Sequence, residues 1–249
     1  MTEPAVCYTC VTNGYDAVAP VSPDWKTRFI LFHDNSVAVP EGWEGRGLSI
    51  PGITGVSLNR YVKMLPHRLG LPASRSMYVD GNMFFRQDPA DRIDSVLSQH
   101  AIAAMSHPEQ DCAYADIERT LRLGFVWPLA ARKAVALLRN NGVPAHAGLF
   151  ECGILYRRHD DPSVVTLCEA WWQAWQLGYR RDQALMIAAA FQTGIMPVSL
   201  GRNDVRDPDN PLMGMRQHKT NRATNRGRWE RLRRRLASEA LLYRQWVRP

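Results

Sequence analysis

Residues Met77 to Phe85 read Met-Tyr-Val-Asp-Gly-Asn-Met-Phe-Phe. Two apolar and aromatic runs, each too short for a helix and suited to buried strands, are broken by a carboxylate, a glycine and an amide. Such a break sets oxygen ligands at a strand end. Asp80 and Asn82 are two positions apart, so in a continued strand both face one side, and Gly81 lets the backbone turn without a Cβ clash. The pair is suited to hold a divalent metal and, through it, a diphosphate. The alternative is a simple turn joining two strands of a hairpin.

The surrounding pattern alternates strands with helices. Ala5 to Val11 and Arg28 to Phe32 read as strands that release polar loops, Asn13-Gly14-Tyr15-Asp16 and His33-Asp34-Asn35. A short strand is expected near Gly47 to Ile50. Ser57 to Leu65 reads as a helix stopped by Pro66, because the residue before proline is pushed out of the helical region. Further helices are expected at Ala90 to Gln99, around Ile117, at Leu129 to Leu138, after Asp161-Pro162, and at Ala184 to Phe191. Strands are expected at Ala101 to Met105 and from Gly148 into Arg157. Asn203 to Met215 reads as a loop. The whole predicts an α/β sandwich with a central sheet, polar loops gathering at the carboxyl ends of its strands.

At 249 residues and 45% hydrophobic content the chain can bury one main core. No uninterrupted apolar run approaches the ~18 residues of a membrane span, and no leader is evident, so a cytoplasmic protein is expected. The five cysteines are an odd, irregularly spaced set, which argues for reduced thiols. Cys7 and Cys10 lack a second pair at ligand spacing and are read as part of a core strand. The net charge of +7 is uneven: from Arg216 onward lie 11 of the 31 Lys and Arg and only 2 of the 24 acids. A basic helix is expected from about Arg228 to Trp246, giving a division into a body (1–215) and a tail (216–249) that docks on the body or on an anionic membrane face.

Several polar side chains stand out. Arg60 and Lys63 share a helix face, where two cations would serve a diphosphate; a solvated helix face is the default explanation of the spacing. Glu151 lies between Phe150 and Cys152, where partial desolvation would suit a general base, or it is a strand glutamate facing water. Asp182 follows two arginines at a helix start, so it stays ionised; it either caps the helix or orients a substrate hydroxyl. His159-Asp160-Asp161 has ligand residue types but also reads as a loop entering a helix.

Taken together, Lys63-x-x-Pro66-His67, Tyr78-x-Asp80-Gly81-Asn82, His107-Pro108 with Cys112 and Tyr114, Gly148-Leu149-x-Glu151, Arg157-Arg158-His159, Trp171-Trp172 and Arg181-Asp182-Gln183 occur in an informative order. This order resembles the glycosyltransferase-like family named after the plant turgor-regulation-defect and mucilage-related proteins, formerly a domain of unknown function and also bacterial. The resemblance spans most of residues 5 to 200. It implies a GT-A-like, Rossmann-type single domain with a central mixed sheet flanked by helices. It implies a nucleotide-sugar donor whose diphosphate is met by Arg60, Lys63, His67, Asp80, Gly81 and Asn82. A divalent metal, Mn²⁺ or Mg²⁺, is implied on Asp80 and Asn82, with His218 as a late histidine ligand. Asn82 departs from the usual second carboxylate. Gln110 and Asp116 stand where arginine and glutamate are expected.

The leading expectation is therefore sugar transfer from a nucleotide-sugar to a glycan or lipid-linked acceptor, in surface polysaccharide synthesis, with Glu151 or Asp182 handling the acceptor hydroxyl. The alternative is a non-catalytic protein whose basic tail engages nucleic acid or anionic membrane. No nucleic-acid-binding signature accompanies the charge.

Overall fold

The computed structural model describes residues 4–219. The basic helix expected at 228–246 lies outside the described residues.

Seven strands form the main sheet: β1 (Val6–Val11), β2 (Arg28–His33), β3 (Trp43–Gly47), β4 (Arg75–Val79), β6 (Ile102–Ser106), β7 (Phe150–Arg158) and β8 (Val198–Arg202). Their spatial order is β3-β2-β1-β4-β7-β6-β8. β1 is parallel to β2 and β4, β2 to β3, and β6 to β8, while β7 runs antiparallel to both of its neighbours. The central sheet flanked by helices is thus the architecture expected from the alternating pattern, and its mixed strand directions are what the resemblance implies. A separate antiparallel pair joins β5 (Met83–Phe85) to β9 (Met213–Met215).

Six α-helices and a short 3-10 helix (Pro66–Arg68) complete the described fold: α1 (Gly55–Met64), α2 (Ala90–Gln99), α3 (Ala113–Arg122), α4 (Pro128–Asn140), α5 (Pro162–Gln176) and α6 (Asp182–Thr193). Side chains that alternate along β1 feed two cores. Val6, Tyr8 and Cys10 pack with α1, α3, α4, α5 and α6, whereas Cys7 and Val11 face α2 and the β5–β9 pair. This period of two is what a strand covered on both faces requires. The apolar stripe of α5, with Leu167, Ala170, Trp171, Ala174 and Trp175, is buried, and Trp172 packs edge-on against Tyr61. All five cysteines are free and buried. No described helix is long and apolar enough to cross a membrane.

Three expectations are corrected. The loop anticipated over 203–215 closes with β9, which pairs with β5. The short strand lies at Trp43–Gly47, not Gly47 to Ile50. Met77 to Phe85 is neither one strand nor a hairpin: β4 ends at Val79, Asp80 to Met83 forms a turn closed by Met83 N–H to the Asp80 carbonyl at 3.0 Å, and β5 enters the other sheet. Gly81 permits this course, since a Cβ there would come within 2.6 Å of Val11 Cγ2.

β7 also carries an irregularity. Ala104 pairs with Leu155, but the next residue, Met105, pairs with Glu151, so Cys152, Gly153 and Ile154 form a bulge. The bulge changes which face the strand presents: Phe150 and Cys152 pack in the first core, Ile154 and Tyr156 in the second. It also re-aims the backbone beside Asp80.

Candidate active site

Strand order reverses between β1 and β4, because the chain leaves β1 toward β2 on one side and returns to β4 on the other. In open α/β sheets a ligand crevice forms outside the carboxyl ends of the strands at such a point. Here those ends release the Thr12–Asp16 loop and Asp80. The rim is well braced. Asn13 and Gly14 donate backbone N–H groups to Asp34 Oδ2 and Ser36 Oγ at 2.9 and 2.7 Å, tying the loop after β1 to the loop after β2. Asn59 of α1 donates to the Cys10 carbonyl at 2.5 Å, and Thr12 Oγ1 to the Gly55 carbonyl at 3.0 Å.

At the centre, Asp80 Oδ1 accepts from Tyr78 Oη at 3.0 Å and from Lys63 Nζ at 3.4 Å, while its backbone N–H meets the Gly153 carbonyl at 2.9 Å. Asp80 keeps about a third of its side chain, 36%, open to solvent; Lys63 keeps 2%. Gly153 makes room for the carboxylate, as a Cβ there would sit 3.2 Å from Asp80 Oδ2. Burial, then the neighbouring Asp80 charge, pushes the Tyr78 phenol well above its ordinary pKa, so it remains a donor.

Beneath Asp80, Lys63 Nζ pairs with Asp182 Oδ2 at 2.6 Å, and Arg60 Nε lies 3.2 Å from the same oxygen. The Arg60 contact is an ion pair only, since its Nε–H is not aligned for a hydrogen bond. Burial alone would raise the Asp182 pKa, but Arg60 and then Lys63 outweigh it and hold the carboxyl far below the carboxylate range. The cap expected of Asp182 is not made: Arg181 is the N-cap residue and Asp182 is the first helical position, with its carboxylate turned to Lys63. The Trp171 indole N–H donates to the Asp182 carbonyl at 2.9 Å and seats this helix start.

The remaining sequence-derived residues separate. Lys63 and His67 would share a face on a continuous helix, but Pro66 ends α1, and the chain turns. His67 Nε2 instead meets Glu169 of α5 at 2.7 Å, away from Asp80. Asn82 does not face the same way as Asp80. Its Nδ2 donates to the Arg216 carbonyl at 2.9 Å and its own carbonyl accepts the Arg216 N–H at 2.8 Å, extending the β5–β9 pair. His218 is thereby brought beside the crevice, where its Nδ1 lies 2.9 Å from Asp16 Oδ1. Asp16 was not singled out by sequence; it is buried, and its Oδ2 is 3.7 Å from where a Gly81 Cβ would stand.

Asp80, Asn82 and His218, the residues read as a divalent-metal set, each make a contact within the protein. Asn82 donates its Nδ2 to the Arg216 carbonyl, His218 Nδ1 lies against Asp16, and Asp80 has the Lys63 ammonium beside it. Among the described residues no group of three His, Cys, Asp or Glu side chains is arranged to hold a metal.

Glu151 stands at the start of β7 in a different setting from the apolar one its neighbours suggested. Arg206 reaches Oε1 at 2.5 Å and Oε2 at 3.1 Å, and Asn203 donates to Oε2 at 2.8 Å. Both oxygens are held by protein donors. A cavity of about 840 Å³ opens beside Glu151, walled by α3, the start of α6 and the 202–208 segment. It includes Arg181 and Gln183 but not Asp80 or Lys63.

The fold and rim describe an α/β protein with a polar rim at the strand-order reversal, where ligands of open α/β sheets bind, and a separate polar cavity lined by α3, the start of α6 and the 202–208 segment. No protein-family model matches the chain, and no curated protein matches it. Solved structures similar to it include the galactosyltransferase LgtC in complex with donor and acceptor sugar analogs. It is 12% identical, with 78% of this chain and 72% of that chain covered and a TM-score of 0.43. The Streptococcus pneumoniae TIGR4 glycosyltransferase GlyE is 11% identical, with 80% and 45% covered and a TM-score of 0.42. Mouse xyloside xylosyltransferase 1 is 10% identical, with 80% and 85% covered and a TM-score of 0.42.

Proposed function

We propose that this chain is a glycosyltransferase of GT-A-like type, moving a sugar from a nucleotide-activated donor to a glycan or lipid-linked acceptor in surface polysaccharide synthesis. The observation that carries the reading is Asp80, a partly exposed carboxylate at the carboxyl end of β4 beside the strand-order reversal, where nucleotide ligands of open α/β sheets bind. The ordered motifs of the sequence support the same assignment.

In this reading Asp80 meets the donor, oriented by Tyr78 and Lys63 and backed by Gly153. Lys63 is too buried to touch a ligand; it keeps Asp80 and Asp182 together by charge. Asp182 is a positioning residue, because a carboxylate held so firmly ionised is a poor proton acceptor. The backbone of the Thr12–Asp16 loop and the side chain of Arg60 form the adjoining rim.

Calorimetry with UDP, GDP, CMP and dTDP, each with and without Mn²⁺, tests the proposal. Binding of at least one nucleotide is expected, weakened in Asp80→Ala by at least about 10-fold, which corresponds to ~1.4 kcal/mol. Wild-type protein that binds none of them removes the reading.

A further inference from the structure

Asp116, on the inner face of α3, is only 3% exposed, yet its Oδ2 has no hydrogen-bond partner. An unsatisfied buried carboxylate oxygen is costly, on the order of 1–3 kcal/mol or more, and calls for an occupant. Asp116 lines the cavity of about 840 Å³, within the size range of small-ligand sites. A second polar atom at that wall, Arg181 Nε, is likewise buried and unpartnered.

The lining chemistry narrows the class of occupant. Four arginines and five carboxylates face the space, so the cavity has no positive surplus to draw a phosphate or nucleotide. Arg206 is already committed to Glu151 and Arg119 to Glu109. What remains is a dense set of hydrogen-bond donors and acceptors with Phe125 on the same wall, its ring under the Arg181 guanidinium at 6.0 Å. Mixed donors and acceptors beside an aromatic ring suit a neutral polyhydroxylated ring, which offers both kinds of group around an apolar face.

Position supplies the rest. The Asp182 carboxylate faces Lys63 and the Asp80 crevice, while its two chain neighbours, Arg181 and Gln183, line the cavity. The cavity wall and the Asp80–Lys63–Asp182 group thus meet at one helix start.

We propose that the cavity is the acceptor site and that Asp116 Oδ2 takes the proton of the attacking sugar hydroxyl. This rests on the sugar-transfer reading above. The acceptor O–H proton goes to Asp116, the acceptor oxygen bonds to the anomeric carbon, and the bond from that carbon to the diphosphate breaks, the electron pair leaving with the nucleoside diphosphate. Burial, opposed by Arg181 and His107 and assisted by Asp182, raises the pKa of the Asp116 carboxyl, the direction a general base needs. Glu151, held on both oxygens by Arg206 and Asn203, then serves as a wall of the site.

The test uses the full chain, wild type and Asp116→Asn. Nucleotide calorimetry reports the crevice. Saturation-transfer NMR with the methyl glycosides of glucose, galactose and mannose reports the cavity, and nucleoside diphosphate release from the matching nucleotide-sugars, to glycoside or to water, reports chemistry. Wild type is expected to show saturation transfer to at least one glycoside. Asp116→Asn should bind nucleotide as wild type does, lose release by roughly 100-fold or more, and lose the rising acid limb of the pH profile. Wild type that binds nucleotide but no glycoside overturns the cavity assignment. Release retained within threefold in Asp116→Asn overturns the role of this carboxylate, with sugar transfer itself intact. Absence of nucleotide binding by wild type is the separate failure of the underlying reading.

Discussion

Lys63 Nζ lies 2.6 Å from Asp182 Oδ2 and 3.4 Å from Asp80 Oδ1, so one buried ammonium joins α1, the start of α6 and the end of β4. Arg60 adds a second cation to the group, and the two positive charges balance the two carboxylates. Buried charges persist only when compensated, so removing one member leaves another exposed to the full desolvation penalty.

Lys63→Met should therefore destabilise the fold by about 3–5 kcal/mol, the range for breaking a buried pair from one side. Urea denaturation measures it. A loss below about 1 kcal/mol, typical of exposed pairs, would mean that water screens the cluster.

The pH dependence of stability follows from Asp182. Its folded pKa is depressed, so the stabilisation is present above the unfolded value of about 3.9 and is lost as pH falls below it. Asp182→Asn should give a flatter stability curve below about pH 4 than wild type. Superimposable curves would show that Asp182 is not linked to folding.

His159 works in a different window. Burial holds its imidazole pKa down at about 4, and its Nδ1 is 2.9 Å from Ser76 Oγ. A buried neutral histidine costs stability as the unfolded chain protonates, so wild-type protein should lose roughly 2–3 kcal/mol between about pH 6.5 and pH 4. His159→Gln removes that dependence, as thermal melts across the interval would register. Equal slopes for both proteins would count against it.

Asp116→Asn offers an opposite sign. The carboxyl pKa is raised in the fold, so the ionised form is penalised above its ordinary range, and the amide variant should melt at or above the wild-type temperature at pH 7. A clear fall in melting temperature would reveal a partner for the carboxylate.

Gly153→Ala examines the bulge. Its Cβ would meet Met83 Cε at 2.8 Å and Asp80 Oδ2 at 3.2 Å. We expect a cost of about 1–3 kcal/mol from overpacking and nucleotide binding weakened by about 10-fold or more, with circular dichroism unchanged. Unaltered binding would mean that the Asp80 carboxylate can shift without consequence.

The amino-acid sequence by itself determined the six α-helices and five of the seven strands of the main sheet, because that information is local, whereas β3 was displaced and β8 unforeseen. Period-two and 3.6-residue spacings identify the buried strands and α5, and Pro66 identifies where α1 stops. Gly153 also left a trace, an isolated glycine inside a strand, which signals a bulge. Composition separated a basic tail from a nearly neutral body. Tertiary structure alone decided the partners of the polar residues. Lys63 and Asp182 are 119 residues apart, and Glu151 and Arg206 are 55 apart, so no spacing predicts either pair. Asp80 and Asn82 face different partners because Gly81 packs on Val11 and sends β5 into another sheet. Asp116, an ordinary acid on an amphipathic helix, becomes a buried, unsatisfied carboxylate only when α3, α6 and β7 close around it. Charges at an α/β rim take their roles from what folding places within a few ångströms, since pairing and desolvation both fall off over that distance.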